Sequence, residues 1–264
     1  MLNLIQADLY KPWKSTAIKV LLGITVLSSV LMTIMAYEIP KGNIDKNMTG
    51  VGFMFSDVNV MSILGAVIAS ILICGDFENK GIPDAIASGC SRSSIIVSKT
   101  IAFCCSIAII LLPYAITTVI ALCTGSIFSM GSVSVGLLNV LTSASNSFST
   151  AHIWKLLAVI FTLIIVYGAQ LSLCIPLAFS LKKPVFVVAI YYAFTILSAQ
   201  LSNLSSSSSV FKNISSCTPY GGNYSLTTLN TSSGDILKAI AVSIIFTFIM
   251  LAVTYSIFRK SEVK

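Results

Sequence analysis

Six separate stretches of the sequence contain no aspartate, glutamate, lysine or arginine. Each is close to the roughly 20 apolar residues that a helix needs to cross the hydrocarbon core of a bilayer. The six stretches are Val20–Tyr37, Val58–Gly75, Thr100–Thr124, Leu156–Leu181, Pro184–Leu201 and Ala239–Phe258. We therefore predict an all-α, polytopic membrane protein with six transmembrane helices.

The composition agrees with a membrane location. Only 9% of the residues are charged and the mean hydropathy is +0.94, whereas a soluble protein carries about 25% charged residues. This excludes a soluble enzyme, a soluble nucleic-acid-binding protein and a disordered chain. The net charge of +7 is then interpreted by position, because basic residues in membrane proteins mainly determine topology.

Residues that commonly carry catalysis or bind cofactors do not occur in the patterns that such sites need. None of the 15 glycines is followed by lysine, so the chain has no P-loop for a nucleotide. His152 is the only histidine, and the seven cysteines include no Cys-x-x-Cys pair. We predict no catalytic residue, no metal site and no directly bound cofactor, and we do not expect the chain to be an enzyme.

The positions of the basic residues predict the orientation of the chain. With the N-terminus inside, eleven of the 16 lysines and arginines fall on the side of the two termini, and five fall on the other side. Lysine and arginine near span ends are retained on the cytoplasmic face. Both termini are therefore predicted to be cytoplasmic.

The connections between the helices belong to a single predicted transmembrane domain, residues 1–264. Residues 1–19 and 76–99 are predicted to be cytoplasmic, and residues 125–155 and 202–235 form two longer outer loops. The first outer loop keeps several apolar residues, so it is either an interfacial or re-entrant segment or a flexible polar loop. The second is rich in serine, threonine and asparagine.

The connection 76–99 carries the local signals of a short helix. Pro83 suits a first helical position, because its missing N–H would be unpaired there. Asp84 places a negative charge at the positive end of the helix dipole, and Gly89 suits the left-handed residue that ends a helix. Together these signals predict a helix over about residues 83–88.

The short helix has an apolar edge, because Ile82 and Ile86 lie four residues apart. After it, Ser91 or Ser93 can cap the helix that continues into the third span. An amphipathic helix of this kind at the cytoplasmic face suits the docking of a soluble partner. It suits equally well a tight connector between two spans.

The same loop resembles that of a known family. Its segments FENKGI at 77–82 and ASGCSR at 87–92, followed by Ser98 and Lys99, are similar to the loop between helices two and three of type-2 ATP-binding-cassette permeases. In that family an acidic residue, a Gly-Thr or Gly-Ile step, a short coupling helix, a small-x-Ser-Arg turn and a lysine recur in this order. Members of similar size include permeases for the export of, or immunity to, lantibiotics and other antimicrobial peptides.

The resemblance implies partners and a membrane. A cytoplasmic ATPase subunit that binds ATP and Mg²⁺ would dock on the coupling helix, and a second permease subunit, identical or related, would pair with this one in a bacterial cell membrane. The N-terminal stretch Leu2–Ser15 resembles the amphipathic elbow helix of the family. Pro83 and Asp84 stand where the family usually has Lys/Arg-Asn.

The resemblance also implies which loop residues contact the ATPase. They are Glu78, Ile82, Asp84, Ile86, Arg92 and Lys99. Arg92 is the best candidate among them, because its planar guanidinium can bind a carboxylate or backbone carbonyls of the partner.

Polar residues within and near the spans are candidates for a substrate path, although such residues also commonly pack helices together. The candidates are Thr25, Ser29, Thr33, Gln170, Ser243 and Thr247. Because the predicted spans contain no ionisable group, we expect the substrate to be apolar or amphipathic, such as a peptide.

Two other classes of protein remain open. The first is a carrier or channel that needs no ATPase, but ion-coupled carriers usually place ionisable groups within the membrane. The second is a membrane scaffold that transports nothing, which no sequence feature distinguishes from a permease.

Overall fold

The computed structural model describes residues 2–130, 134–144, 153–204, 213, 215–221 and 224–260. Across these ranges the regular secondary structure is helical. The α-helices with both ends described are α1 to α12 in chain order: Leu2–Lys14, Thr16–Glu38, Thr49–Met54, Asp57–Ala69, Gly75–Glu78, Gly81–Ala87, Arg92–Cys123, Leu137–Ala144, Ile153–Leu171, Cys174–Leu181, Pro184–Leu204 and Ser233–Lys260.

Within the described ranges, six helical segments are long and apolar enough to cross a membrane, which confirms the predicted all-α polytopic fold. We name them spans 1 to 6: Thr16–Glu38, Thr49–Glu78, Arg92–Cys123, Ile153–Leu181, Pro184–Leu201 and Ser233–Lys260. Several extend past the uncharged stretches, because charged side chains at helix ends can reach the interface or pair with one another. The connection between spans 2 and 3 is therefore shorter than predicted and covers only residues 79–91.

Two of the spans are irregular. Span 2 is interrupted at Phe55–Ser56, and its residues Ser70–Cys74 form a π-helical turn, which is wider than an α-helical turn. Span 4 is broken at Ser172–Leu173, just before Pro176, whose missing N–H removes a hydrogen bond to the preceding turn. Pro113, in contrast, lies inside the continuous helix α7.

The centre of the molecule consists of spans 2, 3 and 4. More than half of the residues in their apolar windows are buried, against 11% in spans 5 and 6. Spans 2 and 4 approach closely at Gly65, where an added Cβ would lie 2.4 Å from the Leu171 side chain. Spans 5 and 6 therefore leave most of their apolar surface available to lipid or to another subunit.

The N-terminal helix α1 packs against span 3. Asp8 and Pro12 face the protein and are buried, whereas Tyr10 and Trp13 are 61% and 69% exposed. Asp8 faces inward because it binds Lys99. Exposed tyrosine and tryptophan on such a helix suit the interface between membrane and water.

The first outer loop contains the short helix α8, which packs into the hydrophobic core. Its buried residues are Leu137, Leu138, Val140, Leu141 and Ala144, all at most 1% exposed. The described part of this loop therefore matches the interfacial or re-entrant alternative and not a flexible polar loop.

Candidate functional site

The short helix α6 lies at the end of the bundle that also carries α1 and the last turn of span 6, and we call this the α6 end. It begins earlier than predicted, after Lys80, which adopts a left-handed conformation with φ 59°. Gly89, with φ 89°, follows the helix in the left-handed region, as predicted. Ser91 then caps span 3, because its Oγ accepts the backbone N–H of Ser94.

The apolar edge of α6 faces the protein and its polar face is open. Ile82 is only 1% exposed and Ile86 is partly buried against the core. Asp84 and Glu78 are exposed. The helix α6 is thus held to the bundle by isoleucine and presents Asp84 to its surroundings, while Glu78 is exposed at the end of α5.

Four charged side chains form an ionic cluster at the α6 end: Asp8 and Lys11 from α1, Asp76 from span 2 and Lys99 from span 3. Lys99 Nζ donates to Asp8 Oδ1 at 2.6 Å and also to Asp76 Oδ2. Lys11 Nζ donates to Asp76 Oδ2 at 2.7 Å. The Lys99 and Asp8 side chains are only 4% and 3% exposed, so their burial requires the mutual compensation that this geometry supplies.

Lys11 is the exposed member of the ionic cluster, since half of its side chain is accessible. Partial burial lowers the pKa of Lys11, but the hydrogen bond and the charge of Asp76 outweigh this and raise it above its ordinary value of 10.5. Lys11 therefore remains charged at neutral pH and adds a second cation to the two buried carboxylates.

Arg92 joins the start of span 3 to the end of span 6. Its guanidinium donates to the backbone carbonyl of Phe258, and to that of Arg259 at 2.9 Å, and it lies 5.2 Å from the centre of the Phe258 ring. These carbonyls belong to the last turn of a helix, where cations are favourable. The same Phe258 ring contacts Phe77 and Phe179, so the ends of spans 2, 4 and 6 meet there.

The six residues that the resemblance implies as ATPase contacts therefore differ in their availability. Glu78 and Asp84 are exposed and Ile86 is half-buried. The side chains of Ile82, Arg92 and Lys99 make contacts within the chain. Arg92 does bind backbone carbonyls, as its chemistry suggests, but the described ones belong to span 6 of the same protein.

A second polar cluster lies at the opposite end of the bundle, which we call the α8 end. Asp57 is fully buried there, at the start of α4 in span 2. Its Oδ2 accepts the Tyr167 hydroxyl at 2.5 Å and the Leu137 N–H at 2.9 Å. Its Oδ1 has no hydrogen-bond partner among the described residues. We call Asp57, Gly136, Leu137 and Tyr167 the carboxylate cluster.

Gly136 allows the carboxylate cluster to close. Its φ of 65° is in the left-handed region, and a Cβ at this position would lie 2.1 Å from Tyr167 Oη and 2.4 Å from Asp57 Oδ2. Asp57 lies one residue before the uncharged stretch predicted at Val58–Gly75, but inside the longer helical segment of span 2, Thr49–Glu78.

The two loops predicted to be outer bind each other beside the carboxylate cluster. The Gly136 N–H donates to the Ser225 carbonyl at 2.6 Å, and Asn139 Nδ2 donates to the Leu226 carbonyl at 2.9 Å. Movement of α8 would therefore also displace the segment that follows span 5.

Gln170, a predicted substrate-path residue, holds that segment to the middle of span 4. Its side-chain Nε2 donates to the Pro219 carbonyl at 2.8 Å, and its backbone carbonyl accepts the Tyr220 hydroxyl. The Tyr220 ring lies 5.0 Å from that of Phe194 in span 5. Irregular backbone at this depth is stable only where protein or a polar cavity surrounds it.

The other predicted path residues mostly bond within their own helices. Thr25, Ser29 and Thr33 each donate to a carbonyl three or four residues earlier in span 1. Thr247 donates to the Ser243 carbonyl in span 6, while the buried Ser243 hydroxyl has no partner among the described residues. Helix packing accounts for the buried Thr25 and Ser29, and their role in a substrate path stays a prediction.

No family model, curated protein or solved structure matches the chain.

His152, the one histidine of the sequence, lies outside the residues that the structure describes. The main residues that the sequence analysis missed are Asp8, Asp57 and Asp76. The available signal was that each is an acid next to or inside an otherwise apolar stretch, where an unpaired charge is unfavourable.

Proposed function

We propose that the chain is the membrane-spanning subunit of an ATP-driven transporter, related to type-2 ATP-binding-cassette permeases, that moves an apolar or amphipathic substrate such as an antimicrobial peptide. The observation that carries this proposal is α6, which is held to the bundle by Ile82 and presents Asp84 outward. A docking helix must leave a polar side chain accessible to its partner, and Asp84 is such a side chain.

The contacts around α6 provide a route by which force on this helix reaches the spans. The ionic cluster links α1 to spans 2 and 3 through Asp76 and Lys99. Arg92 links span 3 to the end of span 6. In this proposal two subunits of a separate ATPase bind ATP and Mg²⁺ and close on each other. Their closure displaces α6 together with α1 and spans 2, 3 and 6.

The apolar surfaces of spans 5 and 6 support the proposed assembly and substrate class. Only 11% of each apolar window is buried within one subunit, which leaves surface for a second permease subunit and for an amphipathic substrate in the bilayer. The α6 end is cytoplasmic in this proposal, as the distribution of basic residues predicts.

The test is co-purification of the tagged protein from its native membrane, with the partners identified by mass spectrometry and assayed for ATP hydrolysis. We expect an ATPase subunit to accompany the wild type and to be lost from Asp84→Arg, because charge reversal acts directly on the exposed face of α6. Asp45→Arg is the matched control, since Asp45 is an exposed acid between spans 1 and 2. Recovery of the folded wild type without any ATPase would overturn the proposal.

A second candidate function is a carrier that needs no ATPase, and Asp57 is the observation that favours it. A buried carboxylate within a span, with one oxygen lacking a described partner, is the kind of group that ion-coupled carriers use. The protein alone, reconstituted in vesicles with a pH gradient and an internal pH-sensitive dye, would then conduct protons. Loss of that flux in Asp57→Asn would support the carrier, and absence of flux in the wild type would exclude proton coupling.

A further inference from the structure

Spans 1 and 3 separate near the α8 end and leave a cavity of about 360 Å³ between them. This volume falls in the range of about 300–1,000 Å³ that small-ligand pockets occupy. Residues of both spans and of the loop that follows span 3 line it, among them Val30, Thr33, Ile34, Thr117, Ile120 and Phe128. The cavity is separate from the carboxylate cluster and from the ionic cluster.

The walls of the cavity are apolar even where threonines line it. Thr33 Oγ1 donates to the Ser29 carbonyl at 2.8 Å, and Thr117 Oγ1 donates to the Tyr114 carbonyl at 3.1 Å. These hydroxyl protons are used within the helices, so they are not available to a ligand. The cavity therefore offers a ligand mainly apolar surface.

The cavity opens towards the membrane side of the protein. Ile34 and Ile120 both line it, and they are 49% and 60% exposed. Both residues lie in apolar spans, so the opening faces the acyl chains of the bilayer. A hydrocarbon chain can therefore enter from the lipid without crossing water.

A lysine lies at the aqueous edge of the same cavity. Tyr37 and Phe128, which line the cavity at its α8 end, have ring centres 5.9 Å apart. Lys41 Nζ lies 3.5 Å from the centre of the Tyr37 ring and places a cation beside this edge. The nearby acid Glu38 accepts a hydrogen bond from the Asn43 side chain at 2.5 Å.

From this arrangement we infer that the cavity binds one acyl chain of an anionic phospholipid, whose phosphate pairs with Lys41. The apolar walls explain why a hydrocarbon chain is bound and a free phosphate ion is not. The lysine at the interface explains the preference for a negative headgroup. The inference does not require an ATPase partner, so it stands or falls separately from the proposed transport function.

The experiment is native mass spectrometry of the full-length protein, purified in detergent and titrated with phosphatidylglycerol or with phosphatidylcholine of the same acyl chains. We expect one phosphatidylglycerol to be retained more strongly than the rest. Lys41→Gln should weaken its retention about fivefold, as expected for one lysine near an anionic surface, and should affect phosphatidylcholine less, because the choline cation neutralises the charge of its phosphate. Lys238→Gln is the control, since Lys238 is an exposed lysine at the start of span 6 on the same side of the bundle.

A second pair of variants tests the cavity itself. Thr117→Phe fills it and should abolish retention of the tightly bound lipid, whereas Ile245→Phe, on the exposed surface of span 6, should not. Equal retention in Thr117→Phe and wild type would overturn the inference, as would equal affinity for the two lipids. Conversion of dimers to monomers by Thr117→Phe, with lipid retention unchanged, would assign the cavity to a second copy of the chain instead.

Discussion

The two ends of the bundle bury charge in opposite ways. At the α6 end two carboxylates, Asp8 and Asp76, are matched by two lysines, so the ionic cluster is neutral as a whole. At the α8 end Asp57 is buried without a described cation, and the hydrogen bonds described for it come from neutral donors, chiefly the Tyr167 hydroxyl and the Leu137 backbone N–H. A compensated cluster favours one fixed arrangement, whereas a carboxylate bound only by neutral donors depends on every one of them.

The two clusters therefore differ in how easily the helices that they join could separate. The ionic cluster joins three helices through charges that would be left unpaired if they separated. The carboxylate cluster joins two spans and α8 through a few neutral hydrogen bonds, and α8 carries the second outer loop with it. In the transporter proposed above, the α6 end would therefore move as one unit and the α8 end would be the one that opens.

The largest effect is expected from Lys99→Met, which leaves the buried Asp8 and the partly buried Asp76 with the half-exposed Lys11 as their remaining described cation. Removal of one partner from a buried ion pair costs about 3–5 kcal/mol of the free energy of unfolding. Thermal and denaturant unfolding in detergent measure it. The double variant Lys99→Met/Asp8→Leu should recover part of the loss, because it removes a buried charge together with its partner. A single variant as stable as the wild type would contradict a compensated cluster.

A smaller effect, about 3 kcal/mol at the upper end of the range for local strain, is expected from Gly136→Ala. The new Cβ would collide with Tyr167 and Asp57. The matched control is Gly125→Ala, because Gly125 has the same φ of 65° but no neighbouring atom within 4 Å of its Cβ position. Equal unfolding temperatures for the two variants would mean that the left-handed backbone alone causes the loss. The contacts of Gly136 with Tyr167 and Asp57 would then not contribute to stability.

Tyr167→Phe should reduce the free energy of unfolding by about 1–2 kcal/mol, because it removes one of the two described donors to Asp57. In the background of Asp57→Asn the same change should have less effect, and this double-mutant cycle isolates the pair. Tyr192→Phe removes a hydroxyl from an exposed residue of span 5 and should be neutral. Additive losses in the cycle would show that Tyr167 and Asp57 do not interact.

The smallest effect is expected from Lys11→Ala, below about 1 kcal/mol, because Lys11 is half exposed and water screens its ion pairs. The raised pKa of Lys11 fixes the sign of the pH dependence. Its contribution is complete at neutral pH and is lost only as the pH rises above 10.5. Unfolding at increasing salt concentration also measures the pair of Lys11 with Asp76. If Lys11→Ala lowered the free energy of unfolding as much as Lys99→Met, the exposed and the buried lysine of the ionic cluster would not differ.

The number and position of the spans could be predicted from the sequence, because an uncharged apolar stretch is a local property. The same holds for the left-handed Gly89 and the cap at Ser91, which depend on neighbouring residues alone. The absence of charged residues places the start of span 2 at Val58, because a stretch defined in this way cannot include Asp57.

The contacts of the two clusters could not be predicted, because they join residues far apart in the chain. Asp8 and Lys99 are 91 positions apart, and Asp57 and Tyr167 are 110 apart. A single sequence shows which residues are charged but not which of them meet. Helix α8 was ambiguous for another reason, since a short apolar stretch among serines is compatible with a buried helix or with a loop.

Span 2 is the one element that contributes an acid to each cluster, Asp57 near one end and Asp76 near the other, and the π-helical turn Ser70–Cys74 lies between them. Such a turn holds one residue more than an α-helical turn, and each residue of an α-helix corresponds to a rotation of about 100°. If the wide turn reverted to α-helix, the two halves of the span would rotate against each other by that amount. Asp57 and Asp76 could then not both keep their present partners, so the register of a single helix couples the two ends of the protein.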